Sequence, residues 1–371
     1  MKTHAHIVGW GKSVPQRVLT NDDLARMVDT SDEWIRTRTG IAERRIVVDG
    51  ETTSSMSLHA AQRSLEVAGL NPSQLDLIVV ATVTPDHAFP ATACLVQDAL
   101  GATRAAAFDL SAGCTGFVYG LSVAANLISA GVYENALVIG AETLSRITDW
   151  SDRATCVLFG DGAGAVVLQA NGADGGVLST VLGADGSGGD LLCLPAGGSK
   201  HPASHRTVAE GLHYLRMKGR EVFRFAVRAM PAATRGALEQ AGLEVSDLNL
   251  LIPHQANQRI IEAATRALKL EPEVVFTNLE RYGNTSAASI PIALCEAAEE
   301  GRIQRDDLVV CVGFGAGLTW GAAAIRWSAP LPPVPPSRWE KARYQLRYRY
   351  AALRSLVRRF LRWLLSLGVK E

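Results

Sequence analysis

The sequence predicts an α/β protein made of two duplicated halves, followed by a basic helical extension. Three observations lead there. Short, almost wholly apolar runs alternate with helical patterns over residues 1–330, as in buried and mostly parallel sheets. A block of sequence recurs at a fixed offset. The composition then changes sharply after residue 330.

The elements follow in order. "SMSLHAAQRSLEVAG" has helical spacing, "DLIVVATV" reads as a buried strand, "TACLVQDALG" as a helix and "AAAFDLS" as a strand. A helix from about Thr115 and the strand "NALVIGAE" come next. The second half repeats this order through "VFRFAVRAMPAATRGALEQAG", "LNLLIPH", "NQRIIEAATRALK", "EVVFT", "SIPIALCEAAEEG" and "DLVVCVGFG". "DGAGAVVLQ" and "LTWGAAAIRW" read as paired strands that close each half. "AGLNPSQLDLIVV" (Ala68–Val80) matches "AGLEVSDLNLLIP" (Ala241–Pro253) at six of thirteen positions, an offset of 173. The same offset sets Gly140 on Gly313. Two separated blocks at one offset indicate an internal duplication. The expected units are residues 1–170, 171–328, a Pro-rich linker 329–337 and a basic amphipathic helix 338–371.

Composition narrows the function. Hydrophobic residues make up 47% and charged residues 20%, a globular balance. Net charge is zero, yet residues 331–371 hold ten Lys/Arg against two Asp/Glu, so the tail carries +8 and the body −8. An acidic body argues against nucleic-acid binding. The cysteines at 94, 114, 156, 193, 295 and 311 form no CxxC pair, so no metal site is expected. With no signal-like opening and no membrane-length apolar run, the chain is expected in the cytoplasm.

Cys114 lies in "FDLSAGCTGFVYGL", at a glycine-lined turn from strand to helix. Taken alone it reads equally well as a small packing hydrophobe or as a nucleophile whose pKa the helix N-terminus lowers. His254 in "IPHQANQRI" reads alone as a core histidine, and Asn284 in "RYGNTSAASIPIAL" as a turn residue. The duplication changes the weighing, because it sets all three at strand ends, where ligands of α/β sheets gather. A thiolate there could take an acyl group from a thioester, and imidazole and carboxamide N–H groups could hold an oxyanion. Papain-like proteases share the order Cys, His, Asn, but the sequence around Cys114 lacks their signature.

"DLSAGCTGF", "PHQANQRI", "YGNTSAASIPIAL" and "GFGAGLTWG", with "TSDEWIRTRTGIAERR" and "FGDGAGAVVL", resemble the β-ketoacyl-acyl-carrier-protein synthase III family of condensing enzymes. The resemblance runs from about residue 4 to 327. It implies a thiolase-like fold stacked in five layers (αβαβα), and the initiation of fatty acid synthesis. An acyl group from acyl-CoA, usually acetyl-CoA, would pass to Cys114 and then condense with malonyl-acyl carrier protein. His254 and Asn284 would stabilise the enolate, and the N–H groups of Cys114 and Ala316 would form an oxyanion hole. Phe314 would press on the malonyl carboxylate. Trp34, Arg38 and Arg153 match residues that sandwich the CoA adenine; Asn257 lies by the pantetheine arm, and Arg259 serves carrier-protein docking. Phe89 would limit the acyl pocket across a homodimer. No cofactor and no metal is implied. The same motifs also occur in relatives that make polyketides, long-chain ketones or alkylquinolones from other acyl-CoAs.

In the tail, Leu346, Tyr350, Leu353, Val357, Phe360, Leu364 and Leu367 step by three and four, with arginines on the other faces. Such a helix suits an anionic membrane surface or a partner helix. Folding back on the acidic body is the third possibility.

Overall fold

The computed structural model describes residues 4–329 and 337–368. Residues 330–336 of the linker expected at 329–337, and the side chain of Leu367, lie outside the described residues.

The first half opens with β1 (His4–Ser13), β2 (Val18–Thr20), α1 (Asn21–Ala25), α2 (Asp32–Thr39) and β3 (Glu43–Arg45). The short excursion from β2 to β3 places α2, and with it Trp34, beside the later site. Helix α3 (Thr53–Ala68) begins at a capping box in which Thr52 accepts from the Ser55 N–H. It ends at Gly69, whose φ of 67° closes the helix in the left-handed region. Then come β4 (Leu77–Ala81), α4 (Thr92–Leu100), β5 (Ala106–Leu110), α5 (Gly116–Ser129), β6 (Asn135–Thr143), α6 (Arg153–Cys156) and β7 (Asp161–Asn171). The sheet order is β1-β7-β6-β4-β5. Strands β5, β4 and β6 are parallel, whereas β7 and β1 run antiparallel to their neighbours.

The second half holds β8 (Gly176–Ala184), β9 (Leu192–Cys193), α7 (His205–Ala209), β10 (Arg216–Met217), α8 (Gly219–Gln240), β11 (Leu250–Pro253) and α9 (Gln258–Leu268). It continues with α10 (Leu279–Tyr282), α11 (Ser289–Glu299), β12 (Leu308–Gly315) and β13 (Thr319–Arg326). Its sheet order is β11-β12-β13-β8, and only β11 and β12 are parallel. The expectation of mostly parallel sheets therefore holds for β5, β4 and β6 and for β11 and β12, which reach one edge of each sheet, and fails at the closing strands.

Three apolar clusters show the layering. Helices α3 and α4 cover one face of the first sheet through Met56, Ala60, Leu65, Val96 and Leu100. The other face meets α5 and α11, which also pack on the second sheet through Val309, Cys311 and Ile325. Helices α8 and α9 close the far side. Five layers result, α3/α4, sheet, α5/α11, sheet, α8/α9. Helix α5 buries Phe117, Val118, Leu121, Ala124 and Ile128, because it has a sheet on each side.

Two expected strands depart from their reading. "EVVFT" forms no ladder. Only an isolated bridge joins Val275 to Leu251, and a 3₁₀ turn occupies Pro272–Val274. The Gln255 side chain donates to the Phe276 carbonyl, replacing a strand neighbour. Strand β5 does form, but it is the outer strand of its sheet and half-exposed rather than buried.

The tail forms α12 (Arg338–Gly368). It packs on the outer layer through Tyr344, Tyr348 and Ala351, which meets Gly101 so closely that a Cβ there would lie 2.9 Å from the Ala351 Cβ. Ser355 donates to Asp98, and Arg359 reaches the same carboxylate at 3.3 Å.

Candidate active site

A cavity of about 410 Å³ opens between the two halves, and Cys114, His254, Asn284 and Phe314 line its inner end. Cys114 sits in the turn between β5 and α5. Gly113, with φ of 56°, allows that turn: a Cβ there would lie 2.8 Å from the Ala316 nitrogen. A Cβ on Gly315 would lie 2.6 Å from the Cys114 nitrogen. The two glycines thus let the backbone of the Cys114 turn and that of the loop after β12 lie against each other.

Cys114 is 7% exposed. Burial pushes its thiol up to about 12; the nearby Ser286 side chain opposes this, and Glu142 adds to it. Burial thus works against the lowered pKa that the nucleophile reading draws from the helix start. Glu142 is itself buried. Its carboxyl is pushed to about 7 by burial, against hydrogen bonds from Thr84, Val83, Ser286 and Thr82.

His254 follows β11 and is fully buried, which holds its imidazole neutral with a pKa near 3. Its Nδ1 lies 2.6 Å from the Ser289 hydroxyl, which also lies 2.9 Å from the Ser286 carbonyl oxygen. Ser289 has one proton for two acceptors. Giving it to His254 Nδ1 leaves Nε2 as an N–H donor; giving it to Ser286 leaves Nε2 with a free lone pair. Phe314 stands edge-on to this ring, 5.3 Å away between centroids. The Asn284 Oδ1 accepts from the Ser286 N–H at 2.8 Å. That bond uses the oxygen and leaves the NH₂ as the side chain's free donor.

Trp34, Arg38, Asn257 and Arg259 line the outer part of the same cavity. The guanidinium groups of Arg38 and Arg153 lie 4.7 and 5.1 Å from the Trp34 ring centre. Arg153 also donates to the Asp29 carbonyl at 2.7 Å. Asn257 caps α9, accepting from the Arg259 N–H and donating to the Arg38 carbonyl. Both ends of its amide are thus held within the protein. Arg259 lies over Phe223 at 5.8 Å. Phe89 is 86% exposed and lines neither this cavity nor the next.

Sequence reading missed two features. Arg220 and Phe223 of α8 also line the mouth; the basic "GREVFRF" was a usable signal. A second cavity of about 110 Å³ lies behind Cys114, bounded by Leu144, Ile147, Phe159, Leu192, Leu215 and Ala316 among others. No motif marks its lining. Among the described residues no group of His, Cys, Asp or Glu could hold a metal ion.

A duplicated five-layer α/β scaffold with a thiol-lined cavity between its halves is that of the thiolase-fold condensing acyltransferases. Residues 108–186 match the family described as 3-oxoacyl-[acyl-carrier-protein (ACP)] synthase III, and residues 238–327 match its C-terminal part. The chain is 61% identical over 321 residues to a β-ketoacyl-[acyl-carrier-protein] synthase III of Symbiobacterium thermophilum, covering 86% of this chain and 97% of that one. A like-named protein of Roseiflexus castenholzii is 55% identical, covering 89% and 100%. The crystal structure of 3-oxoacyl-[acyl-carrier-protein] synthase III from Aquifex aeolicus superposes with a TM-score of 0.81 at 50% identity, covering 87% and 100%. The chain belongs to the 3-oxoacyl-[acyl-carrier-protein] synthase III family.

Proposed function

We propose that this protein is a 3-oxoacyl-[acyl-carrier-protein] synthase III that starts fatty acid synthesis from acetyl-CoA and malonyl-acyl carrier protein. The carrying observation is that Cys114, His254 and Asn284, from three distant segments, line one cavity whose mouth holds Trp34 and arginines. In the first half-reaction the Cys114 sulfur attacks the acetyl-CoA carbonyl, the C–S bond to CoA breaks, and the Cys114 proton ends on the CoA thiol. The N–H groups of Cys114 and Ala316 hold the oxyanion. With the thiol pushed up to about 12, its proton passes to the CoA sulfur in the same step as the attack, since His254, held neutral with a pKa near 3, does not store it.

In the second half-reaction malonyl-acyl carrier protein loses CO₂. The electron pair released becomes an enolate, and its carbon attacks the Cys114 thioester. The 3-oxoacyl product leaves and the thiolate is regenerated. His254, as the Nε2–H donor set when Ser289 donates to its Nδ1, and the Asn284 NH₂ hold the enolate oxygen, while Phe314 faces the departing carboxylate. Trp34 with Arg38 and Arg153 stacks the adenine. Asn257 holds the edge of the pantetheine channel, and Arg259 draws in the acidic carrier protein. The 110 Å³ cavity behind the sulfur holds about four groups of water size, which suits a short acyl chain.

A homodimer fits the open edge of β5 and the exposed Phe89, which would close the acyl pocket of the partner. The six free cysteines fit a reducing cytoplasm. Radiolabelled acetyl-CoA tests the reading. Label should bind the wild type and not Cys114→Ala, and should be released by malonyl-acyl carrier protein as 3-oxoacyl product. Transfer of label to Cys114→Ala, or release by malonyl-CoA alone, would overturn it.

A further inference from the structure

Helix α12 lies beyond the C-terminal family match, which stops at residue 327. It uses only one side to hold the body, the side carrying Tyr344, Tyr348, Ala351 and Ser355. At 3.6 residues per turn, the centre of that side is roughly 170° from the stripe of Leu346, Tyr350, Leu353, Val357, Phe360 and Leu364. The stripe thus faces away from the body from Leu353 onward, while Leu346 and Tyr350 also border a groove of about 570 Å³ against Pro72 and Leu100. Leu346 is 69%, Leu353 59% and Phe360 56% exposed. Towards the C-terminal end, exposed Leu356, Leu361 and Trp363 widen the apolar arc to roughly half the circumference.

Charge follows the edges of the arc. Arg343, Arg347, Arg354 and Arg358 fall along one border and Arg349 along the other, and Glu340 is the one acidic residue in Arg338–Gly368. Exposed Trp339 and Trp363 stand near the two ends. A partner helix would call for a narrow seam. A wide apolar arc bordered on both sides by arginines suits a bilayer surface: the apolar groups enter the acyl boundary, arginine stems reach back to the headgroups, and tryptophan sits at that level. Among the described residues no helix is long and apolar enough to cross a membrane, so α12 would lie flat. From Leu346 to Leu364 the stripe runs about 27 Å.

We propose that α12 is a surface anchor that binds the protein to anionic phospholipid bilayers, with its catalytic body held in the water phase. The inference does not depend on the acyl substrate. The test is co-sedimentation of the full chain with vesicles of phosphatidylcholine containing phosphatidylglycerol, beside pure phosphatidylcholine. The full chain should pellet with the anionic vesicles at low salt and be released as salt screens the arginines. Arg354→Gln with Arg358→Gln should weaken partitioning about 30-fold, roughly fivefold per arginine. Leu353→Glu with Phe360→Glu should abolish it. Acetyl loading of Cys114 in solution should be unchanged in both variants, which shows that they fold. The proposal is overturned by full chain left in the supernatant at low salt, by Leu353→Glu/Phe360→Glu pelleting like wild type, or by that variant changing the particle mass, which would make the stripe an interface between copies. Retention of acyl carrier protein by the stripe, with no vesicle binding, would also overturn it.

Discussion

At the scale of single residues, the proposed chemistry turns on a thiol that burial holds protonated and on the one proton of Ser289. A thiol near pKa 12 has a thiolate fraction that rises about tenfold per pH unit through the neutral range. Inactivation by iodoacetamide should therefore steepen tenfold per unit from pH 7 to 9 with no plateau; a plateau near pH 7 would show a depressed pKa. Ser289→Ala leaves His254 Nδ1 without its partner and removes the control over its tautomer. Malonyl decarboxylation should fall more than acetyl loading, and by less than the ~10²–10³ expected when His254 or Asn284 is replaced by Ala. Rapid-quench measurement of the two half-reactions separates these effects. Equal loss in both would refute the division of labour. That Cys114, His254 and Asn284 come together in one cavity was legible because motif and duplication agreed. The partners Glu142, Ser286 and Ser289 were not, since a serine or glutamate gains that role only from neighbours far away in the chain.

At the scale of elements, close backbone approach organises the site. Gly315→Ala would drive a methyl to 2.6 Å from the Cys114 nitrogen, displacing the turn that carries the sulfur. Acetyl loading should drop at least about tenfold while the melting temperature falls by a few degrees, the mark of about 1–2 kcal/mol. A variant that loads normally would show the turn to be tolerant. Helices were legible from periodicity, as "SMSLHAAQRSLEVAG" shows for α3. Strand neighbours were less so. An apolar run such as "EVVFT" has the composition of a strand, but the side chain of Gln255 takes up its backbone instead, and no pattern of hydrophobicity encodes that choice.

At the scale of the whole molecule, the fixed offset of 173 residues foretold two similar halves with the cavity between them. The volume behind the sulfur was not foretold, because it is what remains after Leu144, Ile147, Leu192 and Leu215 have packed. Leu215→Ala should enlarge it, raising the ratio of kcat/KM for hexanoyl-CoA over acetyl-CoA by about tenfold or more. An unchanged ratio would place the length limit elsewhere, with Phe89 of a neighbouring copy the next residue to replace. The outer strand β5 has a further effect. Antiparallel pairing of two such edges is related by a twofold axis normal to the sheet, so both copies of α12 would emerge on the same side. One landing would then raise the local concentration of the second, and attachment would become a matter of avidity, steep in protein concentration and lost when the pair separates.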